Sequence, residues 1–403
     1  MLRFLRWVPF VVLAPLLTYA AFREEPPPSV VIPSAFRWRN SSWLEGQEEQ
    51  AIRSNGLQRV YLKLLDIDWN SAHGAHPVSS VKVPYQWRTY GGDEGNWSDK
   101  VELVPSIYIT NNTFLMISDK EVDELAHKLL RKLRTECPRT IHGVMLDCDW
   151  SERTRSGFFR IVEVMNDSLN VPVTVTVRMH QYRRPGKTGV PPADRGMLMP
   201  YNVGTLSQPG SVNSIFDRET AMPYFTTSEP YPLPLDIGLP AFSWGVQFRK
   251  GAFMGILQEA QVNEAMNEGL LSGETWGTLQ VVNENNKRMP ALHLGDEIRV
   301  ERMTPEVIAQ VAELARSAVN SDTLAVVYFE AGAASFQRMT TEEVRNGFER
   351  FGTIRAGGFF DEERRRAAEA YVLDSINWSQ ADTAAVAPPD TTMLVEPQIL
   401  HQR

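Results

Sequence analysis

A (β/α)8 barrel with long insertions after strand 2 and between strands 7 and 8 is the fold this sequence predicts. Three observations carry it. Short apolar runs alternate with helical stretches over roughly 320 residues, and near-continuous apolar strands separated by helices imply a parallel sheet covered on both faces. Eight such runs occur, the number that closes this kind of barrel. Two of them, Val60-Tyr-Leu-Lys-Leu-Leu-Asp66-Ile-Asp68-Trp69 and Ile141-His-Gly-Val-Met-Leu-Asp147-Cys-Asp149-Trp150, end alike in Asp-x-Asp-Trp. Alternation puts both aspartates of each run on one side, so acids gather at one rim, where α/β proteins place their chemistry. The competing doubly wound sheet lacks a Gly-x-Gly-x-x-Gly turn after its first strand.

The first strand is expected at 35–39, followed by a helix at 43–54 that stops at Asn55-Gly56. The second strand is 60–66 and the third 103–110. Ser118-Asp-Lys-Glu121 is a capping-box pattern. It opens a helix to about Thr135 whose Val122, Leu125, Leu129, Leu130 and Leu133 form one apolar stripe. Strand four is 142–147, backed by a helix at 153–169. Strands five to eight are 171–177, 197–202, 234–242 and 323–329, and a helix at 341–351 follows. The connection from 69 to 100 is unusually aromatic, with His73, His76, Tyr85, Trp87, Tyr90 and Trp97. The segment 251–303 holds a helix and a strand pair, and both insertions are expected to rise over the rim as walls of a cleft. The barrel is thus expected at 35–353, and 354–403 as a C-terminal helix and a disordered tail.

The chain has 403 residues, 43% hydrophobic and 22% charged, which is ordinary for a globular protein. A net charge of −8 and the lack of a basic cluster with interleaved aromatics argue against nucleic acid as a partner. Arg364-Arg365-Arg366 lies beside acids and reads as a solvated helix face. Arg3 and Arg6 precede 16 mostly apolar residues, 7–22, that contain Thr18-Tyr-Ala20; this reads as an export signal. The stretch falls short of the roughly 20 residues a membrane span needs. Export to the periplasm or the medium is therefore expected, with an inner-membrane anchor only if the segment stays uncleaved. Residues 23–34, with Arg23-Glu-Glu-Pro-Pro-Pro28, read as a linker. Cys137 and Cys148 are the only cysteines. A disulfide suits an exported chain, but Cys148 lies between the two aspartates and should point away from them, so a buried thiol is the main expectation.

The rim expected from these strands collects Arg39, Asp66, Asp68, Asp147, Asp149, Arg178, His180, Tyr201, Asn202, Ser243, Trp244 and Glu330. Buried carboxylates need partners or they protonate, and Arg39 and Arg178 are the candidates. A closed ion-pair network is one reading. The other is catalysis: paired acids split their pKa values, so that one donates a proton while its neighbour stays ionised. Glycoside hydrolysis is built this way. Asp147 and Asp149 are the candidate acids, with Glu330 and then Asp68 as partners. Trp69, Trp150, Trp244, Tyr201, Arg178, His180 and Arg39 are the candidate contacts to a carbohydrate or cell-envelope polymer. No cofactor is expected. No zinc spacing occurs beyond His73 and His76 in the aromatic loop, which read as solvated. No Gly-x-Ser-x-Gly elbow is present. Arg183-Arg184-Pro-Gly186-Lys-Thr188 echoes a phosphate loop without its upstream glycine and reads as a surface loop.

The run Leu146-Asp147-Cys148-Asp149-Trp150 is similar to the fourth-strand motif of chitinase-like barrel hydrolases, Asp-Gly-x-Asp-x-Asp-Trp-Glu, over about eight residues. In that family the closing Glu is the proton donor. Aligned on Asp147 and Asp149, this chain has Val144 for the first Asp, Met145 for the Gly and Ser151 for the catalytic Glu, with Glu152 one position late. The resemblance implies a place on a barrel and does not carry its mechanism across. More broadly, the chain resembles exported bacterial proteins with glycosidase-like barrels, which share an acidic strand-4 motif and a basic residue after strand 5. That resemblance implies fold and compartment. A glycan-acting enzyme and a non-catalytic glycan- or peptide-binding scaffold on a degenerate hydrolase barrel are therefore the two functional expectations.

Overall fold

The computed structural model describes residues 29–40, 46–87, 97–137, 141–210, 213–226, 229–273, 277–284, 287–330 and 333–357. The expected export segment, the expected linker up to residue 28 and the residues beyond 357 lie outside them. The strands are β1 (Ser29–Arg37), β2 (Arg59–Asn70), β3 (Gly74–Ser80), β4 (Glu102–Ile109), β5 (Val144–Asp147), β6 (Val173–Arg178), β7 (Arg195–Met199) and β8 (Leu235–Pro240). Then come β9 (Trp244–Arg249), β10 (Ala252–Gln258), β11 (Leu271–Ser272), β12 (Thr278–Val281), β13 (Glu297–Glu301), β14 (Thr323–Phe329) and β15 (Gly352–Ile354). Parallel pairing runs β1-β2-β4-β5-β6-β7-β8-β14 and returns to β1, closing an eight-stranded barrel. Helices Asp119–Glu136, Arg155–Ser168, Pro305–Ala315 and Thr341–Glu349 intervene between strands or follow them. The protein is a (β/α)8 barrel, as its alternation of strands and helices predicts.

The apolar layers follow from side-chain alternation. Leu62, Leu146, Val175 and Leu324 point outward to meet the helices, which contribute Leu125, Leu129, Ile161 and Val311. The stripe on Asp119–Glu136 is buried as its period requires, and its capping box is formed. A second cluster, with Ile32, Phe36, Tyr61, Val104, Met145, Met197 and Val327, fills the barrel interior. At the N-terminal end the filling is ionic: Arg59 pairs with Glu102 at 2.6 Å, Arg355 with Glu102 at 2.8 Å, and Arg195 with Asp236 at 2.9 Å.

Several boundaries differ from expectation: β2 runs to Asn70 instead of 66 and pairs with β3 inside the expected loop. β1 begins at Ser29, so residues 29–34 belong to the barrel and not to a linker. Pro33 is tolerated because it falls where the neighbour of β1 changes from β15 to β2; its missing N–H interrupts no ladder. β7 ends at Met199, which leaves Tyr201 beyond the strand. The second insertion starts at Trp244, before residue 251, as an antiparallel sheet in the order β10-β9-β13-β12-β11 packed against the helix Glu259–Asn267. Gly245 permits that packing, since a Cβ there would meet Ile298 at 2.6 Å and Val262 at 2.8 Å.

One irregularity shapes the site. The register of β2 against β4 shifts between Lys63 and Leu65. Strict alternation would send Lys63, Leu65 and Ile67 to one side. The extra residue re-phases the strand, so that Leu65 and Ile67 join the outer layer while Asp66 and Asp68 turn inward like Lys63. No helix of the described residues is long and apolar enough to cross a membrane. No disulfide joins Cys137 and Cys148, and Cys148, just past β5, is buried in the outer layer.

Candidate functional site

Asp147 closes β5 and is 1% exposed. Thr176 on β6 donates a 2.6 Å hydrogen bond to its Oδ1. Its Oδ2 is buried with no hydrogen-bond partner among the described residues. Burial pushes this carboxyl up to about 6; Arg178 pulls it back and the negative charge of Asp149 adds to the rise. Asp149, the next inward position, forms an ion pair with Arg178 at the end of β6. Two phenols share this space. Tyr108 is the penultimate residue of β4, and Tyr201, 3% exposed, packs its ring against Phe242 at 5.7 Å and Phe329 at 5.6 Å. Burial holds both phenols protonated, and the Tyr201 hydroxyl has no partner among the described residues.

Two strands away, on β2, Lys63 and Asp66 form an ion pair, and the Lys63 ammonium lies 4.8 Å from the centre of the Trp38 ring. Burial raises the Asp66 carboxyl and Lys63 opposes the rise. Thr110, the N-cap of the helix Asn111–Met116, donates to Asp68 at 2.6 Å. Glu330 follows β14 and accepts from Arg39 at 3.0 Å, while Arg39 also lies 3.8 Å from Glu48. The Phe329–Glu330 peptide is cis. Asp147 at the end of β5 and Asp149 two residues beyond it thus lie together, whereas Asp68 on β2 and Glu330 just after β14 have partners of their own.

Among the aromatic candidates, Trp150 is not a platform. It is fully buried, stacks on Phe158 at 5.3 Å and donates its indole N–H to the Thr188 carbonyl oxygen at 3.1 Å. The alternation that turns Cys148 outward turns Trp150 outward too, into the helix layer. Trp69 is half-buried and lies on the face of the β2–β3 ribbon opposite Asp66 and Asp68. Trp244 does stand at the barrel end, tilted against Phe242 at 5.1 Å. Glu301 accepts its indole N–H at 2.8 Å, accepts the Ser214 hydroxyl at 2.6 Å and pairs with Arg299 at 2.7 Å. Arg299 in turn donates to the carbonyls of Leu206, Gln208 and Pro209. This buried hub ties the insertion to the loop after β7. His180 is exposed on the helix Met179–Arg183. The phosphate-loop echo forms helical turns instead of a loop, and buried Thr188 serves as the acceptor for Trp150.

His73 and His76 lie at the β2–β3 hairpin and both contact Asn70, at 3.2 and 3.1 Å. Among the described residues no three His, Cys, Asp or Glu side chains are placed to hold a metal ion. Trp87, from the aromatic loop, is buried and donates to the Val101 carbonyl oxygen at 3.3 Å; Tyr90 lies outside the described residues.

Trp38, Lys63, Tyr108, Thr176 and Glu301 are site residues that motif reading passes over. Alternation would have found Tyr108 and Thr176, since each lies inward on its strand. Lys63 and Glu301 become visible only with the bulge and the inter-element contacts. Chemically, the rim offers two neighbouring carboxyls in unlike surroundings, one buried and short of a donor, the other bound to a guanidinium.

The sequence matches no family model and no curated protein. The fold is similar to that of the spore cortex-lytic enzyme SleL of Bacillus cereus, with 12% identity, a TM-score of 0.43, and coverage of 82% of this chain and 76% of that one. It is similar to a chitinase of Chromobacterium violaceum, with 12% identity, a TM-score of 0.48, and 80% and 99% covered. A chitinase of Bacteroides thetaiotaomicron gives 11% identity, a TM-score of 0.46, and 80% and 97% covered.

Proposed function

We propose that this chain is an exported, glycosidase-like barrel that acts on a glycan, such as a cell-envelope polymer, at its C-terminal rim. Asp147 and Asp149 are its carboxyl pair. The observation that carries the reading is the unlike environment of these neighbours: Asp147 is buried, short of a donor and pushed up to about 6, while Asp149 faces Arg178. Such a pair can hold a proton on one member near neutral pH and keep a negative charge on the other. Trp244, partly exposed and fixed by Glu301, supplies aromatic surface for a sugar ring.

The test is turnover on a panel of cell-envelope and plant polysaccharides by wild type, Asp147→Asn, Asp149→Asn and Glu330→Gln. Wild type should release sugar products from at least one polymer. Asp147→Asn and Asp149→Asn should each lose about 100-fold or more, the range of general acid–base contributions. Binding without turnover, unchanged by these substitutions, would leave the second reading, a non-catalytic glycan-binding barrel. The ion pairs Asp149–Arg178 and Arg39–Glu330 favour that second reading, because they occupy rim acids with protein partners. Export is tested by cell fractionation, with and without residues 1–22.

A further inference from the structure

The bulge in β2 turns Asp66, the first acid of its Asp-x-Asp-Trp motif, inward toward Asp147. Cross-strand register places Asp66 opposite Tyr108, and Tyr108 opposite Asp147. The three side chains form one row on the inner wall. Two strand spacings separate the backbones of the acids by about 9–10 Å, and inward side chains of a closed barrel converge toward its axis. Each acid has one oxygen engaged: Lys63 takes Oδ2 of Asp66 and Thr176 takes Oδ1 of Asp147. Each keeps a buried oxygen, Asp66 Oδ1 and Asp147 Oδ2, without a donor among the described residues. Two unsatisfied carboxylates in one low-dielectric space are costly, and a single proton removes most of that cost.

We propose that Asp66 is a positioning residue acting through Asp147: Lys63 keeps Asp66 the ionised member of the pair, and the negative charge of Asp66 helps keep a proton on Asp147. The proposal rests on the reading of Asp147 as a rim acid, and it gives the β2 bulge a role in that chemistry. The other groups facing Asp147 are Tyr108 from β4, Asp149 just after β5, Thr176 and Arg178 from β6, and Tyr201 after β7. Among these, Arg178 opposes protonation and Asp149 favours it. Burial raises both Asp66 and Asp147, in keeping with a pair that competes for one proton.

The test is a carboxyl titration of the full chain labelled with 13C-aspartate, with Asp147→Asn identifying the resonance. Asp66→Asn removes the like charge and leaves Lys63, so the upper titration of the pair should move down by about one pH unit. Lys63→Met removes the cation, so the same titration should move up by about one unit. An unmoved titration, or a shift of the wrong sign, overturns the proposal, and either variant decides alone if the other does not fold. No turnover enters this readout. Shifts of the expected signs in a chain that hydrolyses nothing would keep the pair and reject the enzyme, while turnover with unmoved titrations would do the reverse.

Discussion

Thr176 on β6 donates its hydroxyl proton to Asp147 on β5 at 2.6 Å, while the backbone N–H of Cys148 donates to the same hydroxyl oxygen at 3.3 Å. One threonine thereby anchors the acid and the residue after it. Its partner carboxyl is buried and already short one donor, so the bond is expensive to lose.

Thr176→Val should cost about 1–3 kcal/mol, the penalty for leaving buried polar groups unsatisfied. It should also push the Asp147 carboxyl further up, since a hydrogen bond that lowers it has gone. Urea denaturation gives the first quantity and carboxyl titration the second. A loss below about 0.5 kcal/mol would mean that water replaces the hydroxyl.

Asp147 also makes stability depend on pH. Its ordinary value is 3.8 and its folded value about 6, so the folded state holds the proton more tightly. The contribution is fully present below about pH 4 and is lost as pH rises through 6, a fall of about 3 kcal/mol. Asp147→Asn should flatten that part of the profile and raise stability at neutral pH. Denaturant melts across pH 4–8 compare the two slopes.

Trp150 and Trp244 should separate packing from binding. Trp150→Phe removes a buried hydrogen bond and part of a stacked core, at about 2–4 kcal/mol, and leaves glycan affinity alone in the folded fraction. Trp244→Ala should weaken affinity for any glycan the protein retains, with a smaller effect on stability. Chemical denaturation and affinity electrophoresis in polysaccharide gels measure the two effects side by side.

Glu301 is 1% exposed and joins Trp244, Ser214 and Arg299. Glu301→Ala leaves Arg299 buried without its carboxylate and should cost about 3–5 kcal/mol. Glu301→Gln keeps an acceptor for the indole and should retain the environment of Trp244 better. Fluorescence difference spectra against Trp244→Phe report that environment, and a variant pair that behaves alike would remove the hub from the argument.

Particular residues show how far the linear code reaches. Asp147 and Asp149 share a face because strand period is two, and that much is readable without coordinates. The same rule applied one residue further places Trp150 outward, although the rim position of the motif invites the opposite reading. Arg178 and Arg39 are recognisable as candidate counter-ions by type; which acid each one takes, Asp149 and Glu330, depends on strand order around the barrel. Tyr108 carries no motif at all, and its role comes from standing between two acids in register.

By itself the sequence determined the barrel, because hydrophobic period and turn chemistry are local and repeat along the chain. It also determined that acids lie toward the C-terminal ends of β2 and β5. Only the tertiary structure decided that Asp66 turns inward through a bulge to meet Lys63. Only the tertiary structure decided that Trp150 supports the site from behind, and that Glu301, far along the chain, holds Trp244. The physical reason is that register shifts and contacts between distant elements depend on how whole strands pack, and no local spacing of residues encodes them.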